Sequence, residues 1–141
     1  MSPALETDVL VRSMSPDDLP ALQRLSPPHL KPAVHFAVYA TLVAEIDGEV
    51  VGYTQFSLTP DGILHSLAIR VGRKGQGIGQ KLMETKVRLA KAAGARMHMY
   101  AVDRHGEVAL KKILVSLGMH LCQQHGDVLV YAGSLSDDPH V

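Results

Sequence analysis

Three glycines at alternate positions sit in the run Arg73-Lys74-Gly75-Gln76-Gly77-Ile78-Gly79. A strand-like segment, His65-Ser66-Leu67-Ala68-Ile69-Arg70-Val71, leads into the run, and a helical pattern opens directly after it. Glycines at this spacing let the backbone approach a ligand closely, because they carry no Cβ. The first N–H groups of the following helix point outward without intrahelical acceptors. Those donors, together with the positive end of the helix dipole, suit a diphosphate. Arg73 and Lys74 bring two positive charges to the turn itself.

The spacing narrows which phosphate-bearing molecule fits. A Walker phosphate loop requires Gly-x-x-x-x-Gly-Lys-Ser/Thr. Counted from Gly72, the second glycine falls at Gly77, but Ile78 and Gly79 follow where the lysine and hydroxyl belong. A dinucleotide fingerprint requires Gly-x-Gly-x-x-Gly after the first strand of a βαβ unit. Here the pattern is Gly75-x-Gly77-x-Gly79 after the fourth strand-like segment, and the first acidic strand end downstream is Asp103. Both nucleotide readings are poor.

Composition bounds the rest. The chain has 141 residues, which suits one domain, and 46% are hydrophobic, enough for a sizeable core. The formal net charge is zero, which argues against a generic polyanion binder and so against nucleic acid. Cys122 is the one cysteine, so no internal disulfide can form, and a single thiol fits a reducing compartment. No run approaches the ~18 apolar residues of a membrane span. Met1 to Glu6 lack the basic start and apolar stretch of a secretory signal. The expectation is a soluble cytoplasmic protein that does not engage a membrane. Charge is unevenly spread. Residues 1–65 carry eight acidic and three basic side chains, whereas residues 70–91 carry seven basic ones against Glu84. Lys86, Arg88 and Lys91 read equally well as a solvated helix face or as part of a basic surround to the turn.

The elements that would position the turn follow from pattern and punctuation. Asp8 to Met14 alternates as a first strand. Ser15-Pro16-Asp17-Asp18 is a helix start, and Leu19, Leu22 and Leu25 form that helix's apolar face. Ser26-Pro27-Pro28 ends it, and residues 27–39 form a loop or a short helix. Ala40 to Ile46 and Glu49 to Leu58 pair as a hairpin across Asp47-Gly48. Thr59 to Gly62 turns into a fourth strand, Ile63 to Val71. A helix runs from Gly77 to about Ala93, with Ile78, Leu82, Leu89 and Ala93 on its apolar stripe and Met83, Val87 and Ala90 beside it. Met97 to Val102 is a fifth strand and Glu107 to Ser116 a last helix. His120 to Gln124 and Val128 to Ala132 form a final hairpin. The order β-α-(α)-β-β-β-α-β-α-β-β implies an α/β (α+β) fold. Its sheet is mixed and mostly antiparallel, with helices on both faces. Residues 1–133 make the domain and 134–141 a polar tail.

This arrangement resembles the GNAT superfamily of acyl-CoA-dependent N-acetyltransferases. That family's signature is Arg/Gln-x-x-Gly-x-Gly/Ala after a strand often written Leu-Ala-Val. Here Lys74-Gly75-Gln76-Gly77-Ile78-Gly79 follows Leu67-Ala68-Ile69. Asp47-Gly48-Glu49-Val50-Val51-Gly52 is similar to the family's hairpin, and Leu117-Gly118-Met119 to the Leu-Gly-Phe that closes its last helix. The resemblance covers most of the chain and implies that acetyl-CoA is the cosubstrate. Pantetheine would lie along the strand from Leu67 and Ala68 to Ile69 and Val71, paired to backbone. The N–H groups of Gln76, Gly77, Ile78, Gly79 and Gln80 would hold the diphosphate. Lys74 departs from the signature's first residue and lacks a planar fork, which Arg73 next to it would supply. The family often dimerises, so a homodimer is one implied state.

Transfer to an amine needs a general base, and the departing thiolate benefits from a general acid. Since the family transfers directly within a ternary complex, Cys122 need not act as a nucleophile, and packing within its strand is the expectation for it. His65 is the best base candidate: the resemblance brings the acceptor near this stretch, and imidazole titrates near neutrality. Alternation puts His65 on the same strand face as Leu67 and Ile69, although a packed histidine fits the position equally well. The tyrosine that many members aim at the CoA sulfur maps onto Leu114, and Tyr39, Tyr53, Tyr100 and Tyr131 fall elsewhere. His105 is a substitute acid, though a solvent-facing loop histidine is the more ordinary reading. Residues 26–39 and 123–127, with His29, His35 and His125, would shape acceptor specificity. No histidine pair has compact zinc spacing, so no metal is expected. The acidic first half would suit a cationic amine. Two functions stay open: acetyl-CoA-dependent N-acetyltransferase acting on a primary amine, and a CoA-binding module with weak or no activity.

Overall fold

Asp47-Gly48 shows how tightly local sequence dictates this sheet. The two residues have φ of 52° and 82° and join strand β2 (Ala40–Ile46) to strand β3 (Glu49–Leu58). Positive φ at both central positions is the hairpin turn whose twist matches the flanking strands, and Asp-Gly favours it. The computed structural model describes residues 8–26, 39–73, 76–105 and 108–135, apart from the side chains of Ala68 and Ala109. The expected loop or helix at 27–38 lies outside them.

The other elements are β1 (Leu10–Ser13), a short 3-10 turn (Pro16–Asp18), α1 (Leu19–Leu25), β4 (Ile63–Val71), α2 (Ile78–Ala92), β5 (Met97–Asp103), α3 (Val108–Ser116), β6 (His120–His125) and β7 (Val128–Ser134). They build a seven-stranded sheet in the order β1-β2-β3-β4-β5-β7-β6. β4 and β5 are parallel, while β1–β2, β5–β7 and β6–β7 are antiparallel. The mixed, mostly antiparallel sheet of the sequence reading is therefore observed. Most strand bounds agree with it within a residue or two. β7 runs on to Ser134, and buried Leu135 donates its N–H to the Arg96 carbonyl at 2.8 Å, so packing continues past the expected boundary at 133.

The chain divides into two compact units, Met1–Gln55 with Ala68–Thr85, and Phe56–Leu67 with Lys86–Val141. In the first, α1 packs Leu22 onto Val43 and Tyr53, with Met14, Leu25 and Val50 around them. Each such fully buried side chain contributes roughly 1.5–3 kcal/mol. Ser26 donates to the Leu22 carbonyl at 2.7 Å and sits 2.6 Å from the Tyr53 hydroxyl, fixing the end of α1 on the sheet. The opposite face of β3 meets α2: a Cβ on Gly52 would lie 3.0 Å from the Arg70 carbonyl and 3.1 Å from Ile78. Helices thus cover both faces of this unit. In the second unit Leu64, Ala90, Ala95 and Leu135 form a core with Phe56, Leu58 and Val87.

One expectation about α2 is corrected. Its buried row is Ile78, Leu82, Lys86 and Ala90, whereas Leu89 is 47% exposed. These four follow strict i, i+4 spacing, and the long apolar stem of Lys86 fills a place that the sequence left open between a solvated helix face and a basic surround to the turn. No helix among the described residues is long and apolar enough to cross a membrane.

Candidate functional site

The glycine turn belongs wholly to the first unit. β4 ends at Val71, and the Gly72 N–H donates to the Val51 carbonyl at 2.7 Å. A Cβ on Gly72 would come within 2.8 Å of Leu25 Cδ2, so α1 packs closely on this residue. Gly77 has φ of +70° and open space around its missing Cβ. Conformation, not room, requires glycine at this position. The first helix-start bond runs from the Lys81 N–H to the Gly77 carbonyl at 3.0 Å. The N–H groups of Ile78, Gly79 and Gln80 precede it and have no intrahelical acceptor. Ile78 is 1% exposed: its side chain locks the helix start against β3 while its backbone stays at the helix end. Gln76 and Gly77 are exposed, and Gly79 and Gln80 half-buried. The Gln80 amide donates to Glu84 at 2.9 Å, away from the turn's backbone. Lys74 and Gly75 lie outside the described residues. Arg73 is engaged, its guanidinium ion-paired with Glu49.

Along β4, Leu67 is 42% exposed and Ile69 and Val71 are half-buried. Ala68 lies within the strand. The parallel ladder pairs Ile63 to Ser66 with Met97 to Tyr100, while β4 itself continues to Val71 and β5 to Asp103.

The catalytic candidates belong to the second unit. His65 is half-buried and pairs with Met99, which pairs with Ala132, which pairs with His120. One row across four strands therefore carries an imidazole at each end. Its two middle residues, Met99 and Ala132, are apolar, and Met97, two residues along β5 on the same face, is 42% exposed, giving this row an apolar centre. His105 is not near His65's row: its side chain is 76% exposed and its Nε2 lies 3.9 Å from Asp127. Its N–H donates to Asp103 at 2.8 Å. Leu114 is fully buried, as a leucine on the inner side of α3 should be. His125 is exposed and 3.0 Å from the Gln123 side chain, while His29 and His35 lie outside the described residues. A shallow groove along α3, lined by Val108, Lys111, Lys112, Val115 and Ser116, holds no imidazole or carboxylate. Among the described residues no group of His, Cys, Asp and Glu is arranged to hold a metal ion.

Cys122 is exposed, contrary to the packing expected for it. β6 is an edge strand, all of its residues are exposed, and its pairing with β7 shifts register at this cysteine.

A buried polar cluster escaped the sequence reading. Ser66 Oγ lies 2.7 Å from His98 Nε2, and Lys86 Nζ lies 5.3 Å from the centre of the Tyr100 ring. Burial lowers Lys86 to about 7. Burial, and then the charge of Lys86, lower His98 to about 3. The alternation of β5 carried the signal, since His98, Tyr100 and Val102 share one face and all are buried.

The model of the acetyltransferase (GNAT) family matches residues 9–113. No curated protein matches the chain in sequence. A phosphinothricin acetyltransferase from Sinorhizobium meliloti, solved with AcCoA, superposes with a TM-score of 0.78 at 18% identity, covering 94% of this chain and 91% of its own. The ribosomal-protein-S18-alanine N-acetyltransferase of Escherichia coli gives 0.77 at 18% identity, covering 93% and 96%. An N-acetyltransferase from Staphylococcus aureus gives 0.77 at 18% identity, covering 92% and 100%. At such identities these likenesses establish the fold.

Proposed function

Because the chain belongs to the GNAT acetyltransferase family, we propose that it moves the acetyl group of acetyl-CoA to a primary amine by direct attack in a ternary complex. The observation that carries this reading is the start of α2, where the N–H groups of Ile78, Gly79 and Gln80 come before the first helix bond at Lys81. They would hold the diphosphate, with Gln76 and Gly77 at the approach. Lys74 or Arg73 would add charge, Arg73 by exchanging Glu49 for phosphate. The backbone from Leu67 through Ala68 and Ile69 to Val71 would pair with pantetheine, since among the described residues the ladder to β5 runs from Ile63 to Ser66.

In the reaction the amine nitrogen bonds to the thioester carbonyl carbon, and the carbon–sulfur bond breaks. The proton shed by the amine passes to His65, directly or through water, and the sulfur leaves as thiolate. Leu114 has no proton to give, so the thiolate is protonated from solvent or by exposed His105. The acceptor's body would lie on the face of His65, Met99 and Ala132, whose apolar centre favours an amine with an apolar body over a polycation.

Thermal unfolding with acetyl-CoA tests this. A ligand at 100 times its Kd stabilises by about 2.7 kcal/mol, and Gly77→Glu should abolish the rise by filling and charging the turn. An unchanged melting curve at millimolar acetyl-CoA overturns the reading. A panel of amines and peptides, assayed for free CoA thiol, then identifies the acceptor. Stabilisation without thiol release across the panel would leave a CoA-binding module.

A further inference from the structure

The buried cluster of the second unit sits at a particular place: Ser66↔Tyr100 is the last pair in the parallel ladder of β4 and β5. Ser66 reaches from that pair to His98, on the strand next door, at 2.7 Å. Tyr100, its direct partner, lies beneath Lys86 from α2. Three elements thus send polar side chains to the end of one ladder, and all four residues are buried: Lys86 and His98 at 0%, Tyr100 at 3% and Ser66 at 6%.

This placement runs against ordinary core chemistry. Lys86 occupies the middle of the i, i+4 row Ile78, Leu82, Lys86, Ala90, where methionine or leucine would pack without desolvating an ammonium. Among the described residues His98 Nδ1 has no hydrogen-bond partner. With burial holding the imidazole neutral, the less unfavourable tautomer puts the proton on Nε2, donating to Ser66, and leaves Nδ1 as a bare lone pair. Sequences depart from apolar packing in this way mostly where position matters more than stability.

We propose that Ser66 and His98, backed by Tyr100 and Lys86, form a positioning clamp that fixes the residue at which β4 leaves its ladder with β5. The clamp determines which backbone groups of Leu67 to Val71 stay outside the ladder. Its consequence for the cofactor rests on the acetyl-transfer reading, in which that strand edge pairs with pantetheine. These residues are positioning residues, since none of them touches the reacting atoms.

Amide hydrogen exchange of the full chain without ligand tests the clamp directly. Ser66→Ala should accelerate exchange at least tenfold within Leu64 to Val71, with wild-type rates kept in Leu10 to Ser13 and Ala40 to Ile46. Ser66→Thr, which keeps the hydroxyl, should restore the wild-type rates. Lys86→Met, which keeps the stem and loses the ammonium, should give about a threefold acceleration in the same segment. Unchanged exchange in β4, or acceleration spread evenly over all strands, overturns the clamp. A titration of coenzyme A forms the second arm, in which Ser66→Ala should weaken binding at least fivefold and Ser66→Thr restore it. Wild-type affinity in Ser66→Ala overturns the link to the cofactor. A wild-type chain that takes up no coenzyme A overturns the acetyl-transfer reading instead, and the exchange arm still decides the clamp.

Discussion

In the first unit Arg12 donates to both oxygens of Asp18, at 2.8 and 3.0 Å, and to Glu45 at 3.3 Å. In the second, Lys86 and His98 are fully enclosed. The first unit handles its charges by pairing. The hydrogen bond from Arg12 outweighs burial and holds Asp18 below the usual carboxylate range, and Asp18 in turn raises Arg12. In the second, burial moves Lys86 and His98 towards neutrality. A paired charge is fixed in place over a wide pH range, whereas burial brings Lys86 to about 7 and leaves His98 neutral there. The unit with the proposed base is therefore also the unit whose interior titrates.

Four changes would break or sharpen this contrast. The largest concerns proton transfer. If His65 is the base, His65→Ala should lower kcat about 100-fold with any amine that turns over. It should also remove the low-pH limb of the pH–rate profile. An intact limb would leave the second unit without proton chemistry on its open face.

Asp18→Ala should come next. It leaves Arg12 with Glu45 and the Ser13 carbonyl and removes the acceptor of the Ser15 N–H, which lies 2.7 Å from Asp18. A loss of about 2 kcal/mol is expected for a pair this sheltered, read from denaturant unfolding. The native pair has its own acid signature. Because Asp18 is lowered in the folded state, its contribution is complete above the unfolded carboxylate value and fades as pH falls through the folded one.

Lys86→Met should do the reverse and stabilise the protein, by about 1 kcal/mol at neutral pH. Lys86 is lowered from 10.5 to about 7 on folding, so the unfolded chain binds more protons between those values. Wild-type stability should therefore rise with pH across that window, and the variant should lose the slope. His98 and Tyr100 face Lys86 from β5. His98, lowered from 6.5 to about 3, adds a separate loss of stability as pH falls between those values. A destabilised Lys86→Met would show that what the ammonium contributes outweighs its desolvation, and the contrast between the units would fail.

Cys122→Ser should matter least. The thiol is exposed and its one recorded bond is to the Val130 carbonyl at 3.3 Å, so a change within ~0.5 kcal/mol is expected. A larger effect would mean that the irregular edge of β6 contributes more than its exposure suggests.

Much of the architecture was legible because its signals are local. Asp47-Gly48 sets a hairpin through the φ values of two adjacent residues, and Gly94 and Gly118 end helices with φ of 100° and 82°. The glycine turn was readable for the same reason. The role proposed for it depends on backbone groups at a helix start, and nearest neighbours fix those. The packing roles of Gly52 and Gly72 were not readable, since each reflects a partner distant in sequence: Ile78 for one, Leu25 for the other. Cys122 was misplaced because an edge strand and an inner strand share the same alternation, and only the strand order tells them apart.

By itself, then, the sequence determined the order of elements, the turns between them and the glycine-rich start of α2, all set by local backbone preference. Tertiary structure decided which polar residues lose water. Lys86 reads as a surface charge on an amphipathic helix until β5 brings His98 and Tyr100 beneath it, and His98 reads as any strand histidine until Ser66 arrives from β4. Desolvation depends on everything packed around a group, and most of that is remote along the chain.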